Sequence, residues 1–223
     1  MLKAIFFKEF FKIRWLWLII LLMNLALTAY IFITTRNLFI LDHPEVVWYR
    51  VLHLGQIHFK DLKYIPLLSG ILIACFQYLP EMWGERLRLS LHLPISPHIL
   101  ILAHVLVGLT AYGTVALLDL TALWVITAQY FPKEAVMTSL VTALPWTMAG
   151  VAAYLGGTLA LLEPNFRLKV FNMAVAAGVA GLFLHNPNPG SYGPALPWLI
   201  LPLLLMVLSV LLPAYRFRYR RTV

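Results

Sequence analysis

The chain has almost no cysteine and few acids, and it lacks any long polar stretch. Its one cysteine, Cys75, excludes an internal disulfide and any cysteine-based metal site. Only 9 of its 223 residues are Asp or Glu, against 17 Lys or Arg, and charged residues make up 12% of the chain. No G-x-x-x-x-G-K-[ST] phosphate loop, G-x-S-x-G elbow, H-E-x-x-H pair or dinucleotide fingerprint occurs, so no route to ATP hydrolysis within this chain is recognisable. Strict period-two alternation is missing as well, which excludes an outer-membrane barrel.

What is present is apolar. Hydrophobic residues are 61% of the chain, and mean hydropathy is +0.84, far above the needs of a soluble domain. Because a helix needs roughly 20 apolar residues to cross a bilayer, six windows predict spans: about 15–35, 64–80, 98–126, 137–162, 168–185 and 195–215. Too little chain remains outside them for a soluble catalytic domain. The sequence thus predicts an all-α membrane protein forming a single transmembrane domain over 1–223. The first apolar run is longer than the core of a usual signal peptide and reads as a retained span.

The basic residues predict orientation. With both termini in the cytoplasm, 12 of the 17 basic residues fall on the inner side, and Arg36, Arg50, Lys60, Lys63 and Lys133 fall outside. The net charge of +8 then reflects topology, and the tail RFRYRR reads as an anchor near anionic lipid rather than a nucleic-acid arm. Residues 1–14 read as an interfacial amphipathic helix, with Leu2, Phe6, Phe10 and Ile13 on one face and Lys8 and Lys12 on the other. Arg14 and Trp15 would mark the headgroup layer.

Residues 36–63 form the one sizeable outer loop. His43, His53 and His58 lie there with Asp42, Glu45 and Asp61, but His53 and His58 share no helix face, and interfacial histidines without metal are the preferred reading. Within the spans, Asp119, Gln77 and Asn172 are costly in hydrocarbon unless paired. Asp119 reads as a hydrogen-bonded lock between helices or, as the alternative, a substrate or proton site; His104 could also bond across helices. Small residues four apart, Ala149, Ala153 and Gly157 in the fourth span, and Ala174 with Gly178 and Ala177 with Gly181 in the fifth, predict that these two spans pair.

Residues 80–96, PEMWGERLRLSLHLPIS, are too polar to cross a bilayer and too apolar for a free linker. As a helix over 81–93 they would press Leu and Trp side chains on the membrane and offer charges to a cytoplasmic protein; Pro94 and Pro97 end it.

Over nearly its whole length the chain resembles the type-2 ATP-binding-cassette (ABC) exporter permeases. Lys8, Glu9 and Phe10 resemble a Lys-Glu-Phe sequence common in that family's N-terminal helix. Glu81, Leu87, Leu89, Pro94 and Ser96 match its coupling-helix pattern, E-x-E-x-G-T-L-x-L-L-x-x-x-P-x-S. Trp83 replaces the second acid, Glu85 and Arg86 replace Gly-Thr, and Gly84 is displaced by one.

The resemblance implies six spans preceded by an amphipathic helix, with a short cytoplasmic coupling helix between spans two and three. It implies a multi-pass permease in a prokaryotic cytoplasmic membrane, paired with a second permease chain, the same or related. A separate cytoplasmic ATPase would bind the ATP and Mg, leaving this chain no cofactor, metal or catalytic residue of its own. Glu81, Trp83, Glu85, Arg86 and Leu87 would couple to that ATPase, and the cargo would be amphiphilic. An alternative is a membrane-anchor or redox subunit carrying haem or quinone on His104 and His185.

Overall fold

A computed structural model describes residues 2–82, 96–186 and 188–219. All of the regular structure among them is helical. In chain order the helices are α1 (Leu2–Leu41), α2 (Pro44–Leu52), α3 (Ile65–Met82), α4 (Pro97–Tyr130), α5 (Lys133–Leu162), α6 (Phe166–Leu184), α7 (Leu196–Ser209) and α8 (Leu211–Tyr219). Two single 3₁₀ turns, Lys60–Leu62 and Gly193–Ala195, precede α3 and α7. Six stretches are long and apolar enough to cross a membrane, as expected of a multi-pass membrane protein.

The interfacial helix and first span anticipated as separate pieces are one continuous rod. No Pro or Gly occurs between Leu2 and Leu41, so nothing ends the helix at Arg14. At about 1.5 Å per residue, its 40 residues reach about 60 Å, twice the hydrocarbon thickness of about 30 Å. Its inward stripe also differs from the anticipated face. Ile5, Glu9, Ile13, Ile20, Asn24, Ile31 and Thr35 are buried, whereas Phe10 is exposed. That stripe keeps helical spacing along the whole rod, because one helix packs along its length against the same neighbours.

The centre is α5, which packs against α3, α4 and α6. In its most apolar window 61% of residues are buried, against 17% in α6 and 11% in α7, so the last two spans line the outside of this chain. The closest approach is between α3 and α5. A side chain at Gly70 would collide with the Gly150 carbonyl, so only hydrogen at that position lets the two backbones touch.

The pairing of α5 with α6 holds, but through other residues. Gly157 faces Ala74 of α3, and the contact with α6 is made by Gly156 against Ala176. Ala149 and Ala153 are buried in the bundle, and Gly178 meets open space. Adjacent positions on a helix point about 100° apart, so a one-residue difference redirects a stripe from one neighbour to another.

Helix α2 and the connections 53–64 and 185–195 cap the end far from the termini. Trp48 reaches the Tyr130 carbonyl at 2.9 Å there, and Asp42 pairs with Arg50 at 2.7 Å. Near the termini, Tyr215 of α8 hydrogen-bonds His98 at the start of α4.

Candidate functional site

Near the chain termini, α1, α3, α4 and α5 bring charged groups into the bundle interior. Glu9 is fully buried because it stands one turn from Ile5 and one turn from Ile13 on the inward stripe of α1. Lys12 lies three residues on and binds it at 2.7 Å. The same ammonium reaches Glu81 of α3 at 3.0 Å, and Lys8 reaches Glu81 at 3.1 Å. Two carboxylates and two ammonium groups thus neutralise one another across the α1–α3 seam. Uncompensated, either buried carboxylate would cost several kcal/mol in a low-dielectric interior, on the order of 3 to 5 for a broken pair.

Uncharged partners complete the set. Gln77, one helical turn before Glu81, donates to the His104 carbonyl at 2.8 Å and lies 3.4 Å from Glu9. Its side-chain oxygen accepts from the Tyr154 hydroxyl at 2.9 Å, which carries the chain of bonds into α5. Gly108 makes this possible, since a Cβ there would overlap both the Tyr154 hydroxyl and Gln77. His104 Nδ1 sits 2.8 Å from the Leu100 carbonyl and therefore carries a hydrogen. Its Nε2 lies 3.4 Å from Glu9 without a hydrogen bond to it.

Four helices are fastened at one depth, and Glu81 lies at the last turn of α3, two residues before the segment 83–95. Trp83, Glu85, Arg86 and Leu87, with the rest of the anticipated coupling helix after Met82, lie outside the described residues. Glu81 itself is inside α3, 3% exposed, with its carboxylate turned to Lys8 and Lys12 rather than to a surface where a partner could dock. This cluster can hold α1 and α3 in fixed register, but it offers no nucleophile or open reaction cavity.

A second ion pair, with a buried acid and an exposed base, lies near the same end. Glu163, fully buried after α5, binds Arg216 of α8 at 2.8 Å and accepts the Asn165 backbone N–H at 3.3 Å. Asn172 donates to the Leu159 carbonyl at 3.4 Å, the cross-helix bond expected of it. An open groove of about 540 Å³ between α1 and α4 is lined by Phe6, Phe7, Phe10, Val107 and Thr110, with Lys3 at its edge.

Other anticipated residues stay apart from the cluster. Asp119 is 1% exposed, yet neither carboxylate oxygen has a hydrogen-bond partner, so it forms no lock between helices. His104 lies near the start of α4 and His185 caps the far end of α6, so no pair of facing axial ligands forms. Among the described residues no group of three potential metal ligands assembles.

Reading the residues alone missed Glu9 as a buried anchor, and Tyr154 altogether. The available signal for Glu9 was its place in the series 5, 9, 13, 20, 24, 31. No comparable pattern marked Tyr154. Comparison with known proteins found no matching family model, no matching curated protein and no matching solved structure.

Proposed function

We propose that this chain is the permease subunit of an ATP-driven ABC transporter of the type-2 exporter kind, moving an amphiphilic substrate by alternating access. It sits in a prokaryotic cytoplasmic membrane with both termini inside. It hydrolyses nothing itself; a cytoplasmic ATPase binds ATP and Mg and docks at residues 83–93, and a second permease chain completes the path.

The observation that supports this reading best is the ion network joining Glu9, Lys8 and Lys12 to Glu81. A docking segment can drive transport only if its displacement reaches the spans, and this network clamps the base of that segment to α1 and, through Gln77, to α4 and α5. A push on 83–93 would move helices as a unit, as a lever requires. The open aromatic groove with Lys3 at its edge suits a molecule with an apolar body and an anionic head. Exposed Ala174, Ala177, Gly178 and Gly181 give α6 a close-packing face for a second chain.

The test is purification of the chain from its own membranes in mild detergent. An ATPase subunit should co-purify, and Arg86→Glu should reduce its recovery at least about tenfold, the loss of one desolvated charge contact. Stoichiometric recovery of a haem protein with no nucleotide-hydrolysing partner would transfer support to the redox-subunit reading.

A further inference from the structure

At the end far from the termini, one imidazole ring has no hydrogen-bond partner among the described residues. His58 lies in the connection between α2 and α3, with both ring nitrogens buried and neither hydrogen-bonded. Phe131, from the corner between α4 and α5, stacks on its ring at 4.7 Å and 22°, and Phe59 meets it edge-on at 4.9 Å and 80°. Phe59 in turn packs on Trp146 of α5 and joins a buried cluster with Ile31, Leu62 and Leu123. The His58 ring thus ties the connection to the α4–α5 corner, and Phe59 ties it to the cluster at α1, α4 and α5.

An aromatic cage suits a neutral imidazole and rejects an imidazolium that finds no acceptor. Beside the cage lies a cavity of about 180 Å³ with His58, His53, Gln56, Thr138, Ser139, Thr142 and Pro189 in its wall. Room for several waters, with hydroxyls on one side, is what a charged imidazole would need on leaving the cage. Gly55 has φ +64° and lies against Pro189 of the 185–195 connection.

We propose that His58 is an acid-sensitive latch: protonation drives its ring out of the Phe59–Phe131 cage and into the adjoining polar cavity, releasing residues 53–64 from the α4–α5 corner. Two arrangements of one ring, apolar when neutral and hydrated when charged, make the connection a two-state element.

The surrounding charges leave the control to His58. His53 is the other titratable group in the cavity wall. On the neighbouring elements, Lys60 and Asp61 of the 3₁₀ turn and Lys133 and Glu134 of α5 are exposed, and Asp42 and Arg50 pair with each other. None bonds to His58. Burial alone lowers its proton affinity, from the ordinary 6.5 to about 4.

The experiment is hydrogen exchange by mass spectrometry on the full-length protein in detergent between pH 7 and 3.5, corrected for intrinsic exchange. Protection across residues 53–64 should fall at least tenfold on acidification, while α3 and α5 keep theirs. His58→Phe should hold that protection at every pH, and His53→Gln should leave the transition where it is. Equal loss in the wild type and His58→Phe, loss in neither, or a transition that moves with His53 would each overturn the latch. Should His58→Phe fail to fold, His58→Leu serves the same comparison, since it too removes the titrating group.

Discussion

The two ends of the bundle differ in how their buried carboxylates are compensated. Among the described residues near the termini, each buried carboxylate has a cation: Glu9 has Lys12, Glu81 has Lys8 and Lys12, and Glu163 has Arg216. Toward the far end Asp119 and His58 are enclosed with none. A compensated cluster fixes geometry, because loss of any member strands a charge. An uncompensated group fixes nothing by bonding, and it adds a cost that changes with protonation. The first end holds α1 and α3 in register, whereas at the second the cost of burial depends on protonation.

That contrast can be broken most sharply at Glu9. Glu9→Gln leaves Lys12 and Glu81 but unbalances the cluster, and it should cost about 3 kcal/mol, read as a lower midpoint of thermal unfolding in detergent. A midpoint within a degree or so of wild type would mean that solvent already reaches the cluster.

Acid should act at the other end with about the same ceiling. His58 titrates near 6.5 in the unfolded chain and at about 4 in the folded one, so burying it neutral contributes fully above pH 6.5. Between pH 6.5 and about 4 the unfolded state binds more protons, and stability falls as pH falls, by at most about 3 kcal/mol at 1.36 kcal/mol per unit. Unfolding midpoints of wild type and His58→Phe, compared at pH 7 and pH 4.5, should diverge only at the lower pH.

A packing change gives a smaller effect. Gly108→Ala pushes a methyl into the Tyr154–Gln77 bond and should cost about 1 to 3 kcal/mol, read by the same unfolding midpoint. The smallest change is expected at Asp119. Asn is nearly isosteric and the carboxyl makes no bond to lose, so Asp119→Asn should alter stability by less than about 1 kcal/mol. A larger loss would reveal a partner for this carboxyl.

Much of the fold was legible in the residues. Six apolar windows gave six spans, since each backbone in hydrocarbon must satisfy its own hydrogen bonds and only length and apolarity are required. The continuity of residues 1–14 with the first span was not legible in this way. Aromatic and basic residues there imitate an interfacial helix, while the uninterrupted run without Pro or Gly lets α1 continue. In the candidate site Gln77 was visible as an intramembrane polar group, and Lys8 and Lys12 were visible as a basic face. Their partners were not, because Lys12 to Glu81 and Gln77 to Tyr154 are contacts between residues far apart in the chain, which no local spacing encodes.

Composition and periodicity by themselves determined that this chain is helical and carries six stretches long and apolar enough to cross a membrane. Those properties follow from the balance between apolar area and backbone hydrogen bonding, which is set locally. Only the tertiary structure decided which charges meet, which small residues touch and which titratable groups are left alone. Each of those depends on the rotation and depth at which one helix sits against another, and a shift of one residue there exchanges a neighbour for open space.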